Sequence, residues 1–141
     1  MPRKETISKQ KKKTEIAVKK YIKARDRYIC QRSGEYCKGS NCHASHIIPV
    51  SAGNQYRFDP ENMIVLTYHN HINWWHKNPI EAAEWFKKKF PERYDYLFAL
   101  PRVMVKFSIE DLKDIETKYK LKLKEYEEHQ PQLSSIFERQ E

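Results

Sequence analysis

The chain has 141 residues, with 27 Lys+Arg against 19 Asp+Glu and a net charge of +8, a length that suits one domain with short tails. No apolar run approaches the ~20 residues of a membrane span, no apolar stretch follows the N-terminus as in a secretory signal, and three cysteines in such a chain do not read as a disulfide framework. An aromatic content of 13 % argues against full disorder, while 39 % apolar residues imply a modest core that a bound metal would help to staple.

The charge is concentrated at one end. Residues 1–28 carry eleven basic and three acidic side chains, which is the whole excess, and residues 29–141 balance at sixteen of each. Residues 1–12 lack apolar periodicity and read as a flexible basic arm. Over residues 13–28, Ala17, Val18, Tyr21, Ala24 and Tyr28 recur at helical spacing, with cations on the opposite side. Lys11, Lys12, Lys13, Lys19, Lys20, Lys23, Arg25 and Arg27 are thus candidate phosphate contacts, joined by Arg57 from a later loop. Such contacts make DNA binding salt-dependent and largely indifferent to sequence.

Residues 30–45 read as loop and hold all three cysteines. Two short apolar runs, His46–Val50 and Met63–Thr67, flank a polar turn and predict a β-hairpin. Residues 68–77 predict a short helix. Asn78, Pro79 and Glu81 form a helix-start signal for a helix ending at Pro91, and a further helical stretch covers residues 92–100. Ser108 and Asp111 cap a last long helix with a stripe of Leu112, Ile115, Tyr119, Leu123 and Tyr126, and residues 129–141 read as tail. Trp74, Trp75 and Trp85 read as core. The charged, Tyr-bearing last helix is a candidate homodimer surface.

Five of the six histidines, His43, His46, His69, His71 and His76, fall within 34 residues, just after the cysteines. Imidazole and thiolate are preferred ligands of zinc and other transition metals, and imidazole is the usual general base near neutral pH. Hydrolysis of a phosphodiester needs a base for the attacking water and a cation for the charge on phosphate and leaving oxygen. His46 opens the first apolar run, Asn62 precedes the second by one residue and His71 follows nine residues later.

The segment from SHIIP through FDPENMIVLTYHNHINWWHKNP resembles the HNH endonuclease motif of the ββα-metal fold. Downstream, EAAEWFKKKFPERYDYL and the closing helix resemble phage HNH proteins of the NinG/Rap recombination-endonuclease type. The resemblance covers roughly residues 25–125. It implies an α+β protein with a small ββα-metal core over residues 29–78, an N-terminal basic helix and C-terminal helices over 79–128. It implies His46 as general base, Asn62 as the residue fixing the loop and the His46 ring, and His71 as a metal ligand for Mg²⁺, Mn²⁺ or a transition metal. The expected activity is metal-dependent DNA cleavage in the cytoplasm of a bacterial host, by a phage-encoded protein.

Two departures stand out. Many relatives have Asp or His before the base, where this chain has Ser45, so either water fills the position, or His43 or His76 substitutes, or the metal is held weakly. On an α-helix His71 and His76 lie about 140° apart, so sharing one cation requires the helix to end or kink between them. Many relatives also carry two Cys-x-x-Cys pairs for a structural zinc, whose four positions here are Cys30, Ser33, Thr67 and Asn70. A rebuilt zinc site would use Cys30, Cys37, Cys42 and His69, with His43 as the competing fourth ligand. The other functional readings are a DNA-binding module without catalysis, for which Ser45 speaks, and an interaction protein working through the C-terminal helices.

Overall fold

The computed structural model describes residues 6–130, so residues 1–5 of the expected arm and 131–141 of the expected tail lie outside the described residues. Helix α1 spans Ile7–Arg25 and starts well before the apolar periodicity does. Thr6 caps it, its hydroxyl accepting from the Lys9 N–H at 3.2 Å. Its first turns are anchored by polar residues on the buried face. Gln10 donates to Glu116 Oε1 at 2.9 Å and Thr14 donates to the Leu112 carbonyl at 2.8 Å. An arm over 1–12 is therefore corrected to a segment that is helical from residue 7, held by hydrogen bonds to which a hydrophobic pattern is blind. The other end comes earlier than Tyr28, because Arg27 and Tyr28 adopt left-handed backbone with φ of 59° and 57°.

The partner of α1 is the last helix, α4, Ile109–His129, which begins with the expected Ser108–Asp111 capping box. Leu112 and Tyr119 are buried against Val18 and Ile22 of α1, and the Tyr21 and Tyr119 rings lie 5.5 Å apart. Of the stripe on α4, Leu112 and Tyr119 are thus buried within the chain, while Ile115, Leu123 and Tyr126 are half-buried.

In the chain between these helices comes a two-stranded antiparallel sheet, β1 Cys42–His46 and β2 Met63–Thr67, with His46 opposite Met63 and Cys42 opposite Thr67. The first strand lies four residues earlier than its apolar run. The Ile47 N–H still bonds the Asn62 carbonyl in register at 2.8 Å, and from Ile48 the backbone leaves the ladder, both of its backbone groups bonding the Asn62 side chain. Every residue of β2 is buried. Met63 and Val65 face the core shared with α1 and α4, while Ile64 and Leu66 face a second core with Trp75, Phe86 and Leu97, as the alternation of a strand between two layers requires.

After β2, residues His69–Trp75 form a π-helical segment rather than an α-helix, followed by α2, Pro79–Lys89, and α3, Pro91–Ala99. Asn78 does not cap α2 as predicted; its side chain donates to the Trp74 carbonyl at 3.2 Å, and Pro79 alone marks the start. Trp74 and Trp75 are buried as expected. Among the described residues no helix is long and apolar enough to cross a membrane.

Candidate active site

His46 stands at the end of β1, where its Nε2 lies 3.0 Å from the Arg57 carbonyl. A carbonyl only accepts, so the ring donates from Nε2, and the neutral imidazole keeps its lone pair on Nδ1. Burial pushes the His46 pKa below its ordinary value, against the opposing effect of that hydrogen bond. The loop that supplies the carbonyl is folded around Asn62, which is fully buried. Asn62 Oδ1 accepts from Ile48 N–H at 2.8 Å, and Nδ2 donates to the carbonyls of Ile48 at 2.9 Å and Tyr56 at 3.0 Å. Asn62 thus acts on the residue next to Arg57 rather than on the imidazole itself.

The π-helical segment brings His71 and His76 together. Its backbone bonds reach five residues, as in His76 N–H to the His71 carbonyl at 3.1 Å, so residue i+5 stands over residue i. The two Nε2 atoms lie 3.0 Å apart. The α-helical expectation of 140° between these side chains is corrected by that widening. On its other side His71 Nδ1 lies 2.9 Å from His43 Nδ1, and His43 Nε2 lies 2.8 Å from the Ser40 carbonyl. The carbonyl fixes the direction of the chain: His43 donates from Nε2, accepts at Nδ1, and so His71 donates from Nδ1 and turns a lone pair at Nε2 toward His76. Burial, then the neighbouring His76 and His43, pushes the His71 pKa down to about 4.

His46, His71 and His76 line one cleft of about 410 Å³, together with Lys19 from α1. A cation in this cleft would be held by His71 Nε2 and His76 Nε2, whose proximity suits a pair of nitrogen donors. His43 would orient His71 from behind, the usual role of the partner of a ligating imidazole. His43 cannot join the same cation, because His71 offers it the opposite ring nitrogen. Among the described residues no group of three His, Cys, Asp or Glu side chains converges in metal-binding geometry. Ser45 is buried, and its hydroxyl donates to the His43 carbonyl at 3.4 Å.

A family model described as the bacteriophage lambda NinG protein matches residues 2–129 of the chain. The chain belongs to the NinG family. No curated protein and no solved structure matches it.

In this NinG-family chain the proposed zinc donors do not form a set. Cys37 and Cys42 lie side by side in one core, linked thiol to thiol; that bond and burial drive the Cys37 pKa up, while its counterpart holds the Cys42 pKa down. Cys30 packs in the other core, and His69 is exposed with Asn73 3.5 Å from its Nδ1. The four positions of the paired-cysteine pattern do meet, as a hydrogen-bonded plug. Burial raises the Cys30 pKa, but bonds from the Ser33 hydroxyl and from the backbones of Ser33, Thr67 and Arg32 outweigh it and bring the pKa below the ordinary thiol range. Thr67 Oγ1 accepts from Asn70 Nδ2 at 2.8 Å, and Asn70 Oδ1 accepts from Arg32 Nη1 at 2.8 Å. The Arg32 guanidinium lies 3.7 Å over the Trp74 ring. A Cys, Ser, Thr, Asn donor set does not fit zinc.

The basic candidates divide. Lys12, Lys13, Lys20 and Arg27 are exposed on the surface of this NinG-family fold; Lys11, Lys19 and Lys23 are half-buried. Arg25 is corrected to a structural residue: it donates to the Pro60 and Met63 carbonyls, both at 2.6 Å, and pairs with Asp26. Arg57 contributes its carbonyl to His46, while its side chain turns to Asn54 at 3.4 Å. Lys19 and His43 were legible as a phosphate contact and as a candidate metal ligand, but not Lys19's place in the histidine cleft or His43's hydrogen bond to His71, since both depend on how α1 and β1 pack. A His pair five residues apart is the one signal that a π-helix would have decoded.

Proposed function

We propose that this protein is a metal-dependent DNA endonuclease, with β1, β2 and the π-helical segment as a ββα-metal core of the HNH type. The observation that carries this reading is that His46, pinned by the Arg57 carbonyl so that Nδ1 keeps its lone pair, lines the same cleft as His71 and His76 with their facing Nε2 atoms. Membership of a phage family supports a role in processing phage DNA, including recombination.

His46 Nδ1 takes the proton from the attacking water, and the Arg57 carbonyl stabilises the imidazolium that results, since its Nε2–H already points there. Asn62 positions that carbonyl through Tyr56. His71 and His76 would hold a divalent cation, which supplies charge stabilisation at the phosphate and leaving oxygen. Two imidazoles favour Mn²⁺ or a later transition metal over Mg²⁺. Lys19 adds a cation to the same cleft, and the exposed lysines of α1 extend the grip on the backbone.

The test is nicking of supercoiled plasmid across a series of divalent metals, with His46→Ala beside the wild type. Metal-dependent conversion to open circles, lost in a folded His46→Ala protein, is the expected result. Full activity in that variant overturns the assignment. A second reading, a DNA-binding module without catalysis, draws on the buried Ser45 and on a metal shell limited to two protein nitrogens. Salt-sensitive DNA binding with no cleavage under any metal would select it.

A further inference from the structure

The cleft that His46, His71 and His76 line is also walled by Pro49, Trp75, Phe86, Tyr94 and Phe98. Phe98 is 55 % exposed and belongs to neither core. Its ring stacks on Tyr94 at 4.4 Å with an interplanar angle of 30°. The Lys87 ammonium lies 5.2 Å over that Tyr94 ring. The cleft therefore combines a cation and imidazoles with a stacked aromatic pair, within a volume typical of a site for one small ligand. A group that satisfies both carries an anion attached to a planar apolar body.

We propose that the aromatic pair seats an unpaired nucleobase beside the phosphodiester held at His46, so that the preferred substrate is DNA with an unpaired nucleotide at the cut. This inference rests on reading the histidines as a phosphodiester site. A base inside a duplex is covered on both faces by its neighbours and cannot enter a concave cleft without being flipped out. An unpaired base meets no such cost and gains stacking on aromatic rings. Phe98 is the side chain whose exposure suits it to that role, and a change there leaves both cores intact.

The experiment uses the full chain and oligonucleotides carrying one 2-aminopurine, in three forms: paired in a duplex, opposite a gap, and in a single strand. With chelator present, emission of the unpaired 2-aminopurine should change on binding by the wild type and stay unchanged with Phe98→Ala, while Met104→Ala, at an exposed side chain outside the cleft, behaves as wild type. Circular dichroism verifies folding. With Mn²⁺, the wild type should cut beside the unpaired base at least about tenfold faster than beside the paired one, a ratio that falls toward one in Phe98→Ala, as loss of one base–aromatic stack implies. Equal emission responses in wild type and Phe98→Ala, or equal cutting of paired and unpaired sites by the wild type, overturn the subsite. If emission responds as expected but no metal supports cleavage, the nuclease reading fails and the base subsite stands. Plasmid nicking without any response at the unpaired base has the opposite meaning.

Discussion

Asn70 and His71 are neighbours in the π-helical segment and are solved in opposite ways. Asn70 is buried, and its amide closes a network in which Thr67 Oγ1 accepts, Asn70 Oδ1 receives Arg32 and the Cys30 thiol is met by surrounding donors. Each of those groups finds its partner inside the protein. His71 stands in a line that runs in one direction, from His71 to His43 to the Ser40 carbonyl, and leaves Nε2 facing another imidazole nitrogen at 3.0 Å. In the metal-free protein His76 donates from Nε2 into that lone pair, and a metal ion between the two rings would displace that proton. Polar groups that satisfy one another in the interior hold a fold together, whereas an imidazole pair lining a cleft can exchange its shared proton for a ligand from outside.

The comparison breaks most sharply at His46, which belongs to the cleft side. His46→Ala should lower the cleavage rate by about 10²–10⁴-fold, the usual contribution of a general base, with the melting curve little changed. Plasmid nicking at saturating metal measures it. Asn62 belongs to the satisfied side although it sits in the same motif. Asn62→Ala removes three hydrogen bonds from a fully buried site. It should cost roughly 3 kcal/mol of stability, since the Ile48 and Tyr56 backbone groups are left without partners. Urea unfolding checks this; a loss of activity with unchanged stability would place Asn62 in the chemistry instead.

How far the sequence exposes this division depends on the interaction concerned. The hairpin, the helix starts at Pro79 and Ser108, and the grouping of His46, Asn62 and His71 in one segment were legible, because they rest on local pattern and spacing. The α1–α4 pairing was not, because its anchors include Gln10 with Glu116 and Thr14 with the Leu112 carbonyl, polar contacts between residues far apart in the chain. Removing residues 1–13 to test a flexible grip on DNA would therefore delete a buried part of α1. The angle between His71 and His76 was not legible for a different reason: a 3.6-residue period is assumed for any helix, and here the period is wider.

His43 sharpens the comparison from the second position. His43→Ala removes the acceptor that holds His71 in the Nδ1–H form, so Nε2 no longer has an assured lone pair. Apparent affinity for Mn²⁺ or Zn²⁺ should fall by about 10–100-fold, read from the metal dependence of nicking, and saturating metal should restore much of the rate. The metal-free protein should also show the histidine line as a weakness at low pH. His71 has its pKa lowered from 6.5 to about 4, by burial first and by His76 and His43 next. Above pH 6.5 both folded and unfolded chains are neutral there. Below it the unfolded chain takes up a proton that the folded chain refuses until about pH 4, so stability is lost as pH falls through that window. Urea midpoints of chelator-treated protein between pH 7 and pH 4 should decline, and His71→Asn should flatten the decline.

The smallest effect is expected where a structural metal would have given one of the largest. A zinc-held domain loses its fold to chelators, because the binding free energy is folding free energy. Here the turns at Cys30–Ser33 and Thr67–Asn70 are joined by hydrogen bonds, and the Cys37 and Cys42 thiols face each other in the core. A cation at His71 and His76 stabilises only by mass action on the folded state, which vanishes when the metal is dilute relative to its dissociation constant. Dialysis against chelator should therefore leave the melting temperature within about 2 °C, a shift that corresponds to well under 1 kcal/mol for a domain of this size. Elemental analysis of the dialysed protein should find no tightly held zinc. One zinc per chain together with chelator-induced unfolding would mean that the cysteines rearrange around a metal, and that the satisfied side of the π-helical segment is a metal site after all.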